Sequence, residues 1–240
     1  MDIKPELIRV RPAASRGFAD RGWLRSWHSF SFADYYDPAH MGFRDLRVIN
    51  DDVIDPGQGF PTHPHRDMEI FSYVLQGAIE HKDSMGNGRV LKPGQIQLMS
   101  AGKGVMHSEF NPSSTEPLRL LQIWIQPSMR GLTPSYTEWH PHAVHASQSK
   151  VLVISPDGRE GSARIHSAVD VYRVRLPAGC SAAHELPVGH AAWLQVATGG
   201  FLLNQVALSE GDGASTEASG GLTLRSETGG EALLFDFHGS

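Results

Sequence analysis

Two short segments of the sequence place metal-binding side chains in pairs, two residues apart. His63 and His65 form the first pair, and His107 and Glu109 form the second. In an extended strand, residues i and i+2 project to the same face, so the two side chains of each pair can converge on one point. If the two strands lie side by side, the four side chains predict a single metal site inside a barrel.

Three imidazoles and one carboxylate suit a borderline divalent transition metal, and the glutamate neutralises one unit of its charge. If the cation is six-coordinate, four protein ligands leave two positions open for a substrate and a small molecule such as dioxygen. This arrangement is typical of a catalytic site. A structural zinc site is the weaker alternative, because such sites usually contain thiolates and this region contains none.

Four other residues carry weaker versions of this signal. His140 and His142 repeat the two-residue spacing, but they lie in an irregular stretch without a carboxylate-bearing partner strand, so we predict that they do not bind metal. Glu69 follows His65 by four residues. It could be a metal ligand, or a carboxylate beside the ligands or at the rim of the pocket, and the sequence leaves both interpretations open. Cys180, the single cysteine, lies in a turn-like setting and is predicted to be an inert thiol.

Short β-prone runs surround both pairs and must position them. They include Leu46–Ile54, Met68–Leu75 and Leu118–Ile125, and turn signals such as the segment from Asp83 to Gly88 lie between them. The 25 glycines and 15 prolines are spread between such runs, which indicates many turns. A closed antiparallel barrel hides the edges of short strands, so we predict an all-β fold.

A second set of β-prone runs, such as Val169–Leu176, follows a less regular stretch at residues 126–149. A second β-barrel is the simplest account of these runs. We therefore predict an N-terminal metal-binding domain at residues 1–136, a connection at residues 137–149 and a C-terminal domain at residues 150–240.

The overall composition excludes several classes of protein. The net charge is −5 and no face concentrates lysine and arginine, so direct binding to nucleic acid is not expected. The apolar runs are far shorter than the roughly 20 residues that cross a bilayer, so no membrane association is expected. The first residues lack the apolar core of a secretory signal, and a single cysteine allows no internal disulfide. A cytoplasmic location is therefore predicted.

The segments THPHRDMEIFSYVLQGAIEHKDSMGNG and LMSAGKGVMHSEFNPS, which contain the two pairs, resemble the two cupin motifs of pirin-family proteins. The segment HSFSFADYYDP also resembles that family. The resemblance covers essentially the whole chain and is most specific before residue 137. It implies a bicupin, with two jelly-roll-type cupin barrels, in which residues corresponding to His63, His65, His107 and Glu109 hold iron in the N-terminal barrel.

The resemblance also bears on the remaining histidines and acids. In pirins, the residue corresponding to Glu69 belongs to the motif but is not a ligand. The second half contains His184 and His190 but neither paired pattern, so the C-terminal domain is predicted to lack a metal site. Its expected role is to pack against the site and shield the mouth of the pocket.

Several pirin-like proteins are similar to quercetinases, which open the flavonol heterocycle with dioxygen and release carbon monoxide. The resemblance therefore implies a metal-dependent ring-cleaving dioxygenase acting on flavonols such as quercetin. The expected cofactor is one divalent transition metal. Fe(II) is the expected ion, with Zn, Mn, Ni, Cu or Co as alternatives. The expected partners are a small aromatic substrate and dioxygen, and the expected state is a monomer. Glu109 would be the catalytic residue, taking the flavonol hydroxyl proton.

Two other functions fit the same ligands. Animal pirins are regarded as iron-binding, redox-sensing regulatory proteins that bind transcription factors, which implies a protein partner and no dedicated turnover. Such a protein should expose an apolar or charged patch, whereas an enzyme should contain a cavity for its substrate. A metal-dependent isomerase or lyase is the third function, because cupin barrels support many reactions, and it would consume no oxygen.

Overall fold

The computed structural model describes residues 1–239, and at residue 146 only the backbone. Within this range nearly all regular structure is β-strand, as the sequence predicted. The strands are β1 (Arg9–Arg11), β2 (Gly17–Asp20), β3 (Leu24–His28), β4 (Leu46–Ile54), β5 (Gly59–His65), β6 (Glu69–Gln76), β7 (Ile79–Asp83), β8 (Gly88–Leu91), β9 (Ile96–Ser100), β10 (Val105–Phe110), β11 (Leu118–Ile125), β12 (Ser135–Trp139), β13 (Lys150–Ser155), β14 (Ala163–Arg164), β15 (Val169–Leu176), β16 (Cys180–Leu186), β17 (Ala191–Gly199), β18 (Phe201–Leu203), β19 (Val206–Leu208), β20 (Gly213–Thr216), β21 (Gly220–Ser226) and β22 (Gly230–Phe237).

The helical segments of the described chain are short 3₁₀ helices, at Pro5–Leu7, Ala13–Ser15, Ala143–Ser147 and Arg159–Gly161. Among residues 1–239, none of these helices is long and apolar enough to cross a membrane.

The chain forms two compact units, each built from two β-sheets. We call Gly17–Pro141 with Ala163–Ser167 the N-terminal barrel. The C-terminal barrel consists of Met1–Arg16, His142–Ser162 and the chain from Ala168 onward. The first sixteen residues group with the C-terminal barrel, because β1 pairs with β20 in its large sheet. The division into domains at residues 1–136 and 150–240, with a connection at residues 137–149, remains a prediction.

In the N-terminal barrel, a seven-stranded sheet has the order β12-β9-β6-β11-β4-β3-β2, and a four-stranded sheet has the order β5-β10-β7-β8. One apolar cluster joins the two sheets. Ile54, Val74 and Leu118 contribute to it from the large sheet, and Ile79 and Leu91 from the small one, and each is at most 1% exposed. Burial of these side chains against each other stabilises one end of the barrel interior.

The C-terminal barrel repeats this plan. Its large sheet contains the order β1-β20-β17-β22-β15-β13, and its small sheet has the order β16-β21-β18-β19. Leu194 and Leu234 from the large sheet pack in one cluster with Leu222 and Leu224 from the small sheet. Two sheets of alternating strands around one apolar core are the arrangement of a jelly roll. The predicted all-β fold with two barrels is therefore confirmed.

One local prediction differs from the structure. The stretch at residues 126–149 is not irregular throughout, because β12 pairs with β9 over its whole length. β18 and β19 form a hairpin, because Asn204 and Gln205 adopt φ values of 43° and 73° and turn the chain between them. Cys180 is the first residue of β16, and its backbone N–H donates to the carbonyl oxygen of Pro177 at 3.1 Å, so it closes a turn as predicted.

Candidate metal centre

The two predicted pairs lie on neighbouring antiparallel strands of the small sheet. β5 carries His63 and His65, and β10 places His107 directly opposite His63. The Nε2 atoms of His63 and His107 are 3.0 Å apart. The ring of His65 is centred 4.8 Å from each of the other two rings. The three imidazoles therefore converge on one point, as the spacing predicted.

A β-bulge lies beside this cluster. After the pair of His107 with His63, the register shifts, so that Glu109 lies opposite Phe60. Two residues of β5, Pro61 and Thr62, therefore oppose one residue of β10. The bulge brings Phe60 to the same face as His63, and their rings are centred 6.3 Å apart.

Gly59 allows the two strands to approach closely at the end of this pairing. A Cβ atom at this position would lie 2.2 Å from the backbone oxygen of Glu109. A carbon and an oxygen atom that are not bonded cannot approach this closely, so we infer that any larger residue here would push β5 away from β10. Glycine is therefore required for the register that sets the histidines opposite each other.

The imidazoles are held in forms that can bind a cation. Nδ1 of His63 lies 2.8 Å from the carbonyl oxygen of Pro61, which can only accept, so Nδ1 carries the proton and Nε2 offers a lone pair. Burial, together with the neighbouring His107 and His63, lowers the pKa of His65 to about 4. Burial, followed by the effect of His63, lowers the pKa of His107 to about 3. His65 and His107 are therefore neutral near neutral pH.

Glu109 is 1% exposed and is held by side-chain amides. Nε2 of Gln97 donates to its Oε1 at 2.6 Å, and Nε2 of Gln122 donates to its Oε2 at 2.7 Å. The hydroxyl of Ser72 lies 3.0 Å from Oε1 of Glu109 and 2.6 Å from Oε1 of Gln122, and its one proton can serve either oxygen. Hydrogen bonds to both oxygens fix the orientation of the Glu109 side chain.

These partners of Glu109 belong to a polar row that crosses five strands of the large sheet. The row consists of paired neighbours: His28 on β3, Asn50 on β4, Gln122 on β11, Ser72 on β6 and Gln97 on β9. Sequence reasoning missed this row. Its signal was present, because Ser72, Gln97 and Gln122 interrupt apolar runs on strands whose neighbouring residues are buried.

His81 is a further histidine of this region that sequence reasoning missed. Its side chain is 0% exposed, and its Nε2 lies 3.2 Å from Oδ2 of Asp83. His81, His107 and Glu109 offer ligand atoms that lie within 4.8 Å of one another, as do His63, His65 and His107. His107 therefore belongs to both groups, and the ring of His81 is centred 5.3 Å from that of His107.

The other residues considered from the sequence lie elsewhere. Glu69 is three residues from Ser72 on β6, so its side chain points to the opposite face of that strand. There it accepts from the Ser100 hydroxyl at 2.6 Å and from the backbone N–H of His166 at 3.2 Å. His140 pairs with Glu138 at 2.7 Å. Cys180 is an exposed free thiol.

An apolar wall lies beside the imidazoles. Ile70, Met99, Ala101 and Val105 form a buried cluster against which Trp124 packs. The ring of Trp124 is centred 4.9 Å from that of His65, edge to face. The interior next to the three imidazoles can therefore make contacts with an apolar or aromatic group.

Asp52 is a second buried acid of the N-terminal barrel. It is 2% exposed and accepts a hydrogen bond from the Ser26 hydroxyl. The pKa of Asp52 is raised to about 7, chiefly by burial. The hydrogen bond from Ser26 lowers the pKa, and the negative charges of Asp51 and Glu109 raise it further. The folded protein therefore holds a proton on Asp52 at pH values where the unfolded chain has lost it.

Replacing Asp52 by asparagine removes this titration. Because the folded pKa is raised, the stability of the wild type falls as pH rises from the unfolded pKa of about 4 to the folded value of about 7. Over this pH window, the free energy of unfolding of the metal-free Asp52→Asn variant should rise relative to that of the wild type, by up to about 4 kcal/mol. Urea unfolding at a series of pH values measures the difference. Asp34→Asn, at an exposed carboxyl group, is the control, and a difference that did not change with pH would contradict the expectation.

Comparisons with known proteins agree with the fold. The family model described as "Pirin" matches residues 9–125, and the model described as "Quercetinase C-terminal cupin domain" matches residues 152–237. A curated protein of Escherichia coli (strain K12) named "Quercetin 2,3-dioxygenase" is 49% identical over 230 residues, which are 96% of this chain and 98% of the relative.

Solved structures show the same relationship. The crystal structure of the bacterial pirin YhhW from Escherichia coli in complex with nickel(II) is 48% identical, with a TM-score of 0.92, and the match covers 97% of this chain and 100% of that chain. A quercetin 2,3-dioxygenase from Acinetobacter baumannii, at 21% identity and a TM-score of 0.76, shares the fold. Both barrels are thus of the cupin type, and the predicted bicupin architecture is confirmed. The chain belongs to the pirin family.

Proposed function

We propose that this protein is a metal-dependent dioxygenase that opens the ring of flavonols such as quercetin. The observation that carries the proposal is the convergence of His63, His65 and His107 beside an apolar wall. The name of the Escherichia coli relative, "Quercetin 2,3-dioxygenase", supports the same activity.

The proposed metal ligands are His63, His65, His107 and Glu109. Their chemistry fits a divalent transition metal, because His63 presents a free Nε2 and the lowered pKa values of His65 and His107 keep both rings neutral. We propose Fe(II), with Zn, Mn, Ni, Cu or Co as alternatives. When bound, such a cation supplies Lewis acidity and open positions for small molecules.

Glu109 is the proposed base for the flavonol hydroxyl. Its Oε1 lies near two donors, Gln97 and Ser72, whereas among the described residues its Oε2 accepts from Gln122 alone. A carboxylate oxygen has two lone pairs, so Oε2 retains one, which would bind the metal while Glu109 is a ligand and would take the proton once Glu109 swings from ligand to base. We therefore assign the proton transfer to Oε2, with the amide of Gln122 holding that oxygen in place.

The apolar wall is proposed to orient the aromatic substrate. Trp124 presents its ring beside His65, and Ile70 and Val105 lie in the same cluster. A flat aromatic ring placed against this wall would be desolvated and held next to the imidazoles, which restricts its approach to one direction.

Oxygen uptake and carbon monoxide release, measured on purified protein with quercetin and paired with metal analysis, test the proposal. We expect about one metal per chain and oxygen consumption that depends on quercetin. Bound metal without oxygen consumption would favour the redox-sensing interaction protein instead. Turnover of a substrate without oxygen consumption would favour an isomerase or lyase.

A further inference from the structure

β7 places two polar side chains beside the proposed ligands. In the pairing of β7 with β10, Asp83 lies opposite His107 and His81 lies opposite Glu109. Residues directly opposite each other in an antiparallel pair project to the same face of the sheet. The side chains of His81 and Asp83 are both 0% exposed. Both are therefore buried next to two of the four proposed ligands, and neither has a role in the proposed function.

Asp83 fixes the proton of the His81 ring. The carboxylate of Asp83 is held by the turn between β7 and β8, where the backbone N–H groups of Met85 and Asn87 donate to Oδ1. The side-chain amide of Asn87 donates to Oδ2, and Nε2 of His81 lies 3.2 Å from the same oxygen. A carboxylate surrounded by donors acts as an acceptor, so Nε2 of His81 carries the ring proton and donates to it. In the neutral ring, Nδ1 of His81 is then an acceptor.

Two ring nitrogens of this cluster have no hydrogen-bond partner. Within residues 1–239, Nδ1 of His81 and Nδ1 of His107 are both buried and unpaired. The two rings are centred 5.3 Å apart, and at this separation a nitrogen of one ring can lie within hydrogen-bonding distance of a nitrogen of the other. Buried polar atoms are costly unless a donor meets an acceptor, so each nitrogen is the natural partner of the other.

The position of the proton on His107 decides whether these two nitrogens can bond. Nδ1 of His63 carries the proton of that ring, so its Nε2 is an acceptor, and Nε2 of His107, 3.0 Å away, is the donor. Nδ1 of His107 then holds a lone pair, as Nδ1 of His81 does, and two lone pairs cannot form a hydrogen bond. A cation bound at Nε2 of His107 needs the lone pair there, which moves the ring proton to Nδ1.

We propose that His81 is a positioning residue of the metal site, whose Nδ1 accepts a hydrogen bond from the Nδ1–H of His107 when the cation is bound. This inference rests on the proposed function, because it takes His107 as a ligand through Nε2. The carboxylate of Asp83 orients His81, and His81 orients the ligating ring. A ligating imidazole that donates from its second nitrogen is more basic and is fixed in its orientation. The turn after β7 therefore strengthens metal binding although it contains no ligand.

Two substitutions of His81 test the proposal in the full chain. Leucine fills much of the space of the ring but accepts no hydrogen bond, whereas the amide oxygen of asparagine lies close to the position of the imidazole Nδ1. Affinity for Ni(II), measured by competition with a chelator, should fall about 10- to 100-fold in His81→Leu, the usual cost of losing the partner of a ligating imidazole. His81→Asn should retain most of the wild-type affinity, because it restores the acceptor.

Tyr136→Phe is the matched control. The ring of Tyr136 stacks on that of His81, with 5.0 Å between their centres, and the variant keeps this ring and the whole series from Asp83 to His107. It should bind Ni(II) as the wild type does, with all variants shown to be folded by circular dichroism. Equal affinity in wild type and His81→Leu, or equal losses in His81→Leu and His81→Asn, would overturn the proposal and leave the ligand set intact. Wild-type protein that failed to bind Ni(II) would overturn the ligand set as well.

Discussion

Replacing His63 and His65 together by alanine is expected to abolish both metal binding and oxygen uptake. Loss of partners that only support a ligand typically lowers metal affinity by about 10- to 100-fold. The loss of two of the four proposed ligands should therefore exceed about 100-fold, and the purified variant should contain almost no metal. Metal analysis and oxygen uptake with quercetin measure the two effects.

The chain offers a matched control for this variant. His140-Pro141-His142 repeats the tripeptide His63-Pro64-His65, but His140 is paired with Glu138 rather than directed at other imidazoles. The His140→Ala, His142→Ala variant should retain metal and oxygen uptake. If the His63→Ala, His65→Ala protein kept both while remaining folded by circular dichroism, the metal site would lie elsewhere.

Glu109→Gln is expected to reduce kcat by about 10²- to 10⁴-fold, the usual contribution of a positioned base, while quercetin still binds. The glutamine cannot take the hydroxyl proton. Its amide would also face the amide donors of Gln97 and Gln122, so we expect a loss of about 1–3 kcal/mol in stability from the broken hydrogen bond. Steady-state kinetics, substrate titration and metal analysis of the same sample separate these effects.

Glu69→Gln provides the comparison for Glu109→Gln. Glu69 is also 1% exposed and hydrogen-bonded, but its carboxylate contacts Ser100 and the backbone of His166. It should lose stability without losing kcat. Full activity in Glu109→Gln would rule out the proton role, and a loss of activity that excess metal restored would assign Glu109 to ligation alone.

Local sequence patterns predicted several of the long strands that begin and end with apolar residues. β4, β11 and β15 begin and end where the runs Leu46–Ile54, Leu118–Ile125 and Val169–Leu176 begin and end. Short strands such as β1 and β12 were missed, because they contain few apolar residues and gain their place by pairing with β20 and β9. Pairing between residues about 200 positions apart leaves no trace in a local pattern.

The convergence of three imidazoles was predictable for the same reason that the long strands were. Residues two positions apart in an extended chain project to the same face of the strand, and the structure places His63 opposite His107. The amides that hold Glu109 could not be assigned in this way. Gln97 and Gln122 reach it across strands 12 and 13 residues away, and their contacts depend on the register of the large sheet and its packing against the small one.

The bulge at Pro61 and Thr62 makes the site unequally sensitive to changes in chain length. Deleting Thr62 would restore a regular ladder between β5 and β10, with Phe60 and His63 still on the inner face. Deleting Ser108 instead would turn Glu109 to the outer face, because neighbouring residues of a strand point in opposite directions. In the course of evolution, one-residue gaps are therefore tolerable in β5 before His63 and lethal to the site in β10 after His107.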